Sequence, residues 1–373
     1  MGRKKVQRVQ PDQLEPIGSD VTLANIVGCS NVHEEVKRYV EFLKSPQKFY
    51  DLKVNVGRGC LLVGSVGSGK RTIAHAVAGE AIVNLFDISD LIPDGDSIFG
   101  YKLLCNGKKV SVEQFFDVCR MNIPCVVFIN HIDVLMATCI NTVRMFLHEM
   151  EKSDVNNGII FFAAVAAQTT STNISNNANE EADSFEEKLL CRFNRFTHIV
   201  KFSSPNFQER KEIFTFLLRD VKHDNTVDVD ILARLTDGAE IGHIKKLLNT
   251  CMIRMVTQNR SAISLEDIDE LIDEIQTGYG EKKLAIDKES LKGTAYHEAG
   301  HALVLYYGDG HGIDPLYKVT IVPRGRALGI TSYLPEGKNK DLTKQRILRM
   351  IDLAFGGRVA EEILFGKDRI SSG

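Results

Sequence analysis

Apolar residues follow two patterns along this chain, and the patterns divide it into regions. Three short, continuous apolar runs near 59–63, 124–129 and 161–165 are each bounded by glycine or polar residues. Such runs are typical of buried parallel strands, so the first half of the chain is predicted to form an α/β domain. From 207 to 275 the apolar residues recur at helical spacing. The helices predicted there are 209–218, 229–235, 241–256 and 265–275.

A third region follows, and it combines helices with short strands. Thr294–Val304 carries small and apolar residues without a proline, which predicts a helix. Two strands are predicted at Leu316–Val322 and Leu328–Leu334. A long helical pattern then covers Thr343–Leu364.

Composition and charge narrow the class of protein. With 43% hydrophobic and 25% charged residues, the 373-residue chain is typical of a globular protein, and its length suggests two or three domains. A net charge of −3 gives no sign of a nucleic-acid partner. The eight cysteines include no C-x-x-C pair, which favours free thiols in a reducing compartment. No apolar run reaches the roughly 20 residues of a membrane helix, so we expect this chain itself in the cytoplasm.

A glycine-rich loop joins the first predicted strand to a helix. Its sequence, Gly64-Ser-Val-Gly-Ser-Gly-Lys-Arg-Thr72, predicts a phosphate-binding loop for ATP. Backbone N–H groups and the helix N-terminus would hold the phosphates, and the lysine would reach the outer ones. A glycine-rich turn without a ligand is the alternative. The predicted nucleotide-binding residues are Gly64, Gly67, Gly69, Lys70, Arg71 and Thr72.

One position of this loop departs from the pattern. A serine or threonine is expected directly after the lysine, where its hydroxyl binds Mg²⁺. Arg71 stands there instead, and Thr72 comes one residue later. One residue on a helix corresponds to a rotation of about 100°, so the hydroxyl of Thr72 is not expected to reach the same place. The departure puts the binding of Mg²⁺ in doubt.

The third region contains an H-E-x-x-H sequence, from His297 to His301. Residues four apart lie on one face of a helix, so both imidazoles can bind one zinc ion. Glu298 can take a proton from zinc-bound water and pass it to the leaving amine. A bare H-E-x-x-H also arises by chance, and two helical histidines without a metal are the alternative.

Three longer strings occur in one order along this region: Thr294–Ala302, Lys318–Gly329 and Gly356–Gly366. In that order they resemble the FtsH family of ATP-dependent zinc peptidases. The resemblance implies an α/β AAA+ P-loop module with a parallel sheet, a helical lid, and a mainly helical zinc-peptidase domain that is incomplete here. The expected divisions are a polar tail at 1–19, the nucleotide-binding subdomain at 20–205, the lid at 206–278, a linker at 279–284 and the truncated peptidase domain at 285–373.

The same resemblance implies a degenerate Walker B motif at Asn130 and His131. The family has Asp-Glu there, which holds the Mg²⁺ shell and polarises the attacking water. Asn130 carries no charge, and a histidine is a poor replacement for a carboxylate near Mg²⁺. Ala166 stands where the family has a water-orienting asparagine. All of these departures weaken hydrolysis.

Further positions follow from the resemblance. Arg192 and Arg195 match the arginine fingers that reach the nucleotide of a neighbouring subunit, although two surface arginines are the alternative. Phe99 lies where the family places its aromatic pore loop, and a core position is the alternative. Gly356 and Gly357 interrupt a helical pattern, and the family match implies that they pack closely against the zinc helix.

The zinc site is incomplete in this sequence. Catalytic zinc takes three protein ligands and keeps one position open for water. In the family the third ligand is an aspartate shortly after a segment that Ile370–Gly373 matches, and the sequence stops there. Glu361 or Glu362 could supply a ligand, orient a histidine or make structural contacts.

Two functions therefore remain open at the level of sequence. The first is an ATP-dependent zinc metalloendopeptidase of FtsH type, with Zn²⁺ and ATP as cofactors, that degrades unfolded or membrane-associated proteins. The second is a catalytically impaired, nucleotide-binding subunit with a structural or regulatory role. Either is expected in a homo- or hetero-hexameric ring that reaches a membrane only through absent N-terminal segments or partner subunits. The family is usually bound to bacterial inner membranes or to mitochondrial and plastid membranes.

Overall fold

The chain forms two compact units, Met1–Ser204 and Pro205–Gly373. The computed structural model describes residues 14–54, 56–93, 101–152, 157–166, 195–277, 288–308, 314–323, 327–335 and 343–367. Among the residues described, the first unit holds a seven-stranded sheet with its helices, and the second holds further helices and a two-stranded sheet.

A mixed sheet forms the centre of the first unit. Its strands are β1 (Gly59–Gly64), β2 (Asn84–Pro93), β3 (Tyr101–Cys105), β4 (Lys108–Val110), β5 (Cys125–Ile129), β6 (Ile159–Ala166) and β7 (Phe196–Lys201). They lie in the order β4-β3-β2-β5-β6-β1-β7. The five strands from β2 to β7 in that order are parallel, whereas β3 and β4 add an antiparallel edge.

The three predicted strands are confirmed as β1, β5 and β6, and they are neighbours in the sheet. Their apolar runs are continuous because both faces of the sheet are covered. Phe161 and Phe162 are adjacent on β6 and point to opposite faces, yet both are fully buried. The α/β prediction is thus correct, while the antiparallel edge carries too short an apolar pattern to be predicted.

Helices cover both faces of this sheet. They are α1 (Ser30–Lys44), α2 (Pro46–Asp51), α3 (Lys70–Ala81), α4 (Val112–Met121), α5 (Ile132–Thr138) and α6 (Ile140–Glu151). On one face Phe161 packs against Phe116 and Phe146, and on the other Phe162 meets Tyr39 edge to face at 5.3 Å between ring centroids. These two apolar clusters position the loops at the carboxyl ends of the parallel strands.

The second unit begins with the predicted helical region. Its helices are α7 (Phe207–Leu217), α8 (Val229–Leu235), α9 (Ile241–Thr257) and α10 (Leu265–Thr277). A capping contact precedes α10: the Asp267 N–H donates to the Ser264 hydroxyl at 3.3 Å, and the Asp267 carboxylate accepts from the Ser264 N–H at 2.9 Å. All four helices were predicted, with ends that differ by at most a few residues.

Two long helices and a hairpin form the rest of the second unit. They are α11 (Lys288–Gly308), β8 (Leu316–Thr320), β9 (Ile330–Tyr333) and α12 (Lys344–Phe365), with β8 and β9 antiparallel. The helices approach closely where Gly300 faces Gly356, since a Cβ on Gly300 would overlap the Gly356 carbonyl oxygen. The close packing expected of the glycine pair is therefore observed. Among the described residues no helix has the length and apolarity needed to cross a membrane.

Candidate peptidase and nucleotide sites

The two histidines of the H-E-x-x-H sequence meet on one face of α11. The Nε2 atoms of His297 and His301 lie 3.0 Å apart, and the two rings stand at 76° to each other. Two zinc–nitrogen bonds of about 2.0–2.1 Å at a tetrahedral angle would separate such nitrogens by about 3.3 Å. The observed spacing is thus close to that of two ligands of one metal ion.

Each ring is oriented from the other side by α12. The Nδ1 of His297 lies 2.7 Å from Glu361 Oε1, and the Nδ1 of His301 lies 2.7 Å from the Leu353 carbonyl oxygen. An acceptor at Nδ1 requires the proton there, which leaves the Nε2 lone pair for a metal. The Gly357 N–H also points at His301 Nδ1, but at 3.3 Å it is the weaker contact. Two facing lone pairs repel unless a cation or proton lies between them, so the pair fits zinc.

A glycine leaves the space that this arrangement needs. A Cβ on Gly357 would lie 2.5 Å from His297 Nε2, which is closer than real Cβ contacts allow. Gly357 therefore keeps open the side of the imidazole that faces its partner histidine. The glycine pair, which weakens a helix in isolation, makes room both for the helix packing and for the facing Nε2 atoms.

Glu298 is held by the hairpin. Its carboxylate is buried, and Oε2 accepts a hydrogen bond from the Thr331 hydroxyl of β9 at 2.6 Å. Gly329 lies against the same side chain, since a Cβ there would approach Glu298 Cγ to 2.7 Å. The hydrogen bond fixes one carboxylate oxygen and leaves the other to handle a proton. Neither Thr331 nor Gly329 carries a sequence signal for this role.

The glycine-rich loop has the shape of a phosphate-binding loop. It leaves β1 at Gly64, and α3 begins at Lys70. Gly67 and Gly69 have φ values of 87° and 96°, a region that favours glycine. The Lys70 ammonium is buried inside the loop and donates to the carbonyl oxygens of Gly64 and Ser65 at 2.6 and 2.7 Å. The loop, Lys70 and the N-terminus of α3 thus have the arrangement that the sequence predicts for them.

Two comparisons with known proteins identify the family. One family model, for the ATPase family associated with various cellular activities, matches residues 60–204, and another, for peptidase family M41, matches residues 284–373. The chain is 35% identical to the ATP-dependent zinc metalloprotease YME1L of Drosophila melanogaster over 99% of its own length and 48% of that protein. It is also 35% identical to the ATP-dependent zinc metalloprotease FtsH of Caulobacter vibrioides, over 95% of its own length and 54% of that protein.

The chain belongs to the FtsH family. The two matched regions follow each other in the order that the resemblance implies. The first contains the glycine-rich loop, and the second contains the H-E-x-x-H sequence. The chain spans about half the length of these relatives.

The third zinc ligand of the FtsH pattern is not seen among the described residues, where no cluster of three or more histidine, cysteine or acidic side chains could hold a metal. The segment at 370–373 lies outside the described part of the chain. Of the roles left open for Glu361, the geometry favours orientation, because it contacts the Nδ1 of His297 and not the Nε2 side. The residues present therefore fit two ligands of zinc.

Beside the P-loop, an ion pair of Arg71 and Asp87 takes the place of the hydroxyl that binds Mg²⁺ in the FtsH pattern. Arg71 donates from Nε and Nη2 to Asp87 Oδ2 of β2, at 2.7 and 2.6 Å. The Asp87 carboxylate is buried, and His75 Nε2 lies 3.4 Å from the same oxygen. An aspartate inside a buried strand needs a partner, and this could have been suspected from the sequence. Thr72 stands one helix position further on, as expected.

Asn130 and His131, at the Walker B positions, lack the two carboxylates of the family pattern, although the backbone there is still hydrogen-bonded to β2. Asn130 follows β5 directly, and its N–H donates to the Ile88 carbonyl oxygen at 3.0 Å. His131 has φ 49° and precedes α5. Asp133 is the nearest carboxylate in sequence, but its Oδ2 accepts from the Ala166 N–H at 3.4 Å, so it links the first turn of α5 to the end of β6. Mg²⁺ does not fit these residues.

The remaining predictions concern subunit contacts. Arg195 is buried, and its Nε donates to Glu151 of the same chain at 2.7 Å. This ion pair lies within one chain, and the arginine-finger role of Arg195 stays a prediction. Arg192 and Phe99 lie outside the described residues, and their roles remain predictions.

Proposed function

We propose that this protein is a zinc-dependent metalloendopeptidase subunit of an FtsH-type ring. The observation that carries the proposal is the convergence of the His297 and His301 Nε2 atoms, each with its Nδ1 already engaged by α12. Such preorientation is what metal-binding histidines need. It is supported by Glu298, which lies next to the pair in sequence and is anchored by Thr331.

The chemistry assigned to the residues follows from these positions. His297 and His301 would supply two zinc ligands, and bound zinc would polarise a peptide carbonyl and its water. Glu298 would accept the proton of that water and return it to the leaving amine. Glu361 would keep the His297 ring in place and raise its basicity as a ligand.

Protein substrates and a ring are part of the same proposal. Relatives with both matched regions are named ATP-dependent zinc metalloproteases, and unfolded or membrane-associated proteins are the expected substrates. We expect a homo- or hetero-hexamer with neighbouring subunits, and membrane attachment through segments or partners other than the described helices.

The test is proteolysis of unfolded casein by the purified natural protein loaded with zinc. Glu298→Gln should lower turnover about 10²- to 10⁴-fold, because it removes the general base and leaves both histidines in place. Zinc content, measured by elemental analysis, should stay the same and serves as the control. Unchanged cleavage by the variant would exclude the proposed role of Glu298.

A second function is favoured by the nucleotide site. Because Arg71, Asn130, His131 and Ala166 replace the residues that bind Mg²⁺ and direct water, the subunit would bind ATP without turning it over. It would then have a structural or regulatory role beside active neighbours. Steady-state ATP hydrolysis by the purified protein distinguishes the two: turnover at the rate typical of active AAA+ subunits would contradict the impaired ATPase.

A further inference from the structure

The ion pair beside the P-loop occupies the position at which a Mg²⁺-binding hydroxyl is expected. Arg71 directly follows Lys70, the first residue of α3. Its partner Asp87 lies opposite Phe128 in the register of β2 and β5. Phe128 and Ile73 share one apolar cluster, so Asp87 is on the face of the sheet that α3 covers. Both charges therefore lie on the P-loop side of the sheet.

The pair fixes the arginine in one orientation. Two nitrogens of Arg71 converge on Asp87 Oδ2, and the carboxylate is only 2% exposed. A buried carboxylate of this kind is stable only with a partner, so the contact is costly to break. Although its guanidinium is held in this way, the Arg71 side chain is 57% exposed. Among the described residues, Nη1 of Arg71 donates to no acceptor and can meet a ligand.

The Arg71 guanidinium and a Mg²⁺ ion cannot both occupy this position beside the P-loop. Two cations within a few ångströms repel strongly, and neither Asn130 nor His131 offers a carboxylate to offset that repulsion. A guanidinium can, however, do part of the work of Mg²⁺, because it donates charge-assisted hydrogen bonds to phosphate oxygens. It cannot present a coordinated, oriented water.

We propose that this P-loop binds a nucleoside triphosphate without a divalent cation, with Arg71 in the place of Mg²⁺. The proposal rests on nucleotide binding by the same loop, as proposed above, and specifies how it occurs. Lys70 and Arg71 together carry the positive charge that the phosphates meet, and Asp87 positions Arg71. The nucleotide then stays intact, because no carboxylate directs a water at it.

The experiment is calorimetric titration of the protein with ATP, once in EDTA and once with excess Mg²⁺. We expect ATP to bind about tenfold or more weakly with excess Mg²⁺ than in EDTA, because Mg²⁺ holds the free nucleotide and Arg71 repels the complex. Equal or tighter binding with Mg²⁺ would contradict a site that takes the metal-free nucleotide. Lys70→Ala should abolish binding under both conditions. Arg71→Thr should weaken binding in EDTA about tenfold or more, because it removes a charge-assisted phosphate contact.

Two further variants control for the unpaired Asp87 carboxylate and for the loss of an arginine in general. Arg71→Thr leaves the Asp87 carboxylate buried without its main partner, so the double variant Arg71→Thr with Asp87→Ser removes both charges and should show the same loss in EDTA. Arg219→Thr, an exposed arginine in the second unit, is the matched control and should bind as the parent does.

The outcomes separate the two proposals. Absence of binding in both buffers would contradict the nucleotide-binding function itself. Binding that requires Mg²⁺ would keep that function and overturn the metal-free site. Unchanged binding by both Arg71 variants in EDTA would also overturn it, because Arg71 would then contribute nothing to phosphate recognition.

Discussion

The candidate peptidase site and the candidate nucleotide site of this chain depart from the family pattern to different degrees. At the candidate peptidase site His297, Glu298 and His301 are each held by a hydrogen bond from another element, and the partners come from α12 and β9. At the nucleotide site the loop, the glycines and the lysine keep their geometry, while the acidic residues are absent. One site has kept its supporting contacts, and the other has kept its shape without its catalytic groups.

This difference shows that a phosphate-binding loop can keep its backbone shape when the side chains needed for hydrolysis are replaced. The loop is determined by glycine conformations and by strand and helix ends, and the backbone of Asn130 still pairs with Ile88. Hydrolysis depends on a few side-chain oxygens, which can change without disturbing that backbone. The His297 and His301 pair has no such freedom, because the rotamers of both rings are set by contacts from α12.

The largest effect on zinc binding is expected from Gly357→Ala. The new Cβ would lie 2.5 Å from His297 Nε2, so the imidazole must turn away or α12 must shift. Zinc affinity should fall by about 100-fold or more, as measured by competition with a chelating dye. ATP binding should not change, because Gly357 belongs to the other unit.

A suitable control is Gly293→Ala on α11, where a Cβ would meet the Phe365 ring at an ordinary 3.5 Å. It should bind zinc like the parent protein. Equal zinc affinity of Gly357→Ala and the parent would mean that the two histidines do not bind the metal through these atoms.

A smaller effect is expected from Glu361→Gln. The amide oxygen can still accept from His297 Nδ1, but the negative charge that strengthens the ligand is lost. Zinc affinity should fall about tenfold in the same competition assay. Glu362→Gln, at the next position and paired only loosely with Lys367 at 3.8 Å, should have no effect. A similar loss in both variants would point to general charge rather than to ring orientation.

The smallest effect is expected from Thr331→Val, which keeps the shape of the side chain and removes the hydroxyl that binds Glu298 Oε2. Casein turnover by the zinc-loaded natural protein should fall about fivefold, since a buried carboxylate loses a hydrogen bond worth about 1 kcal/mol. Zinc content should not change. Thr331→Ser restores the hydroxyl and should restore turnover, a rescue that a purely structural role of the methyl group would not produce.

Much of the fold was predictable because the signals were local. The three strands around the P-loop are continuous apolar runs, and the helices of the second unit have strong periodicity and polar caps. The antiparallel edge, β3 and β4, was missed because it is short and mixed in polarity. The arginine-finger prediction for Arg195 did not anticipate burial, since the pairing with Glu151 joins residues far apart in sequence.

The sequence by itself determined the family, the P-loop, the H-E-x-x-H pair and the missing acidic residues at Asn130 and His131. These are properties of residue identity at fixed local spacing, so no fold is needed to see them. Only the tertiary structure decided that Glu361 orients His297, that Thr331 anchors Glu298 and that Asp87 holds Arg71. Each of these contacts joins different elements, and their distances depend on helix packing and strand register, which local spacing does not encode.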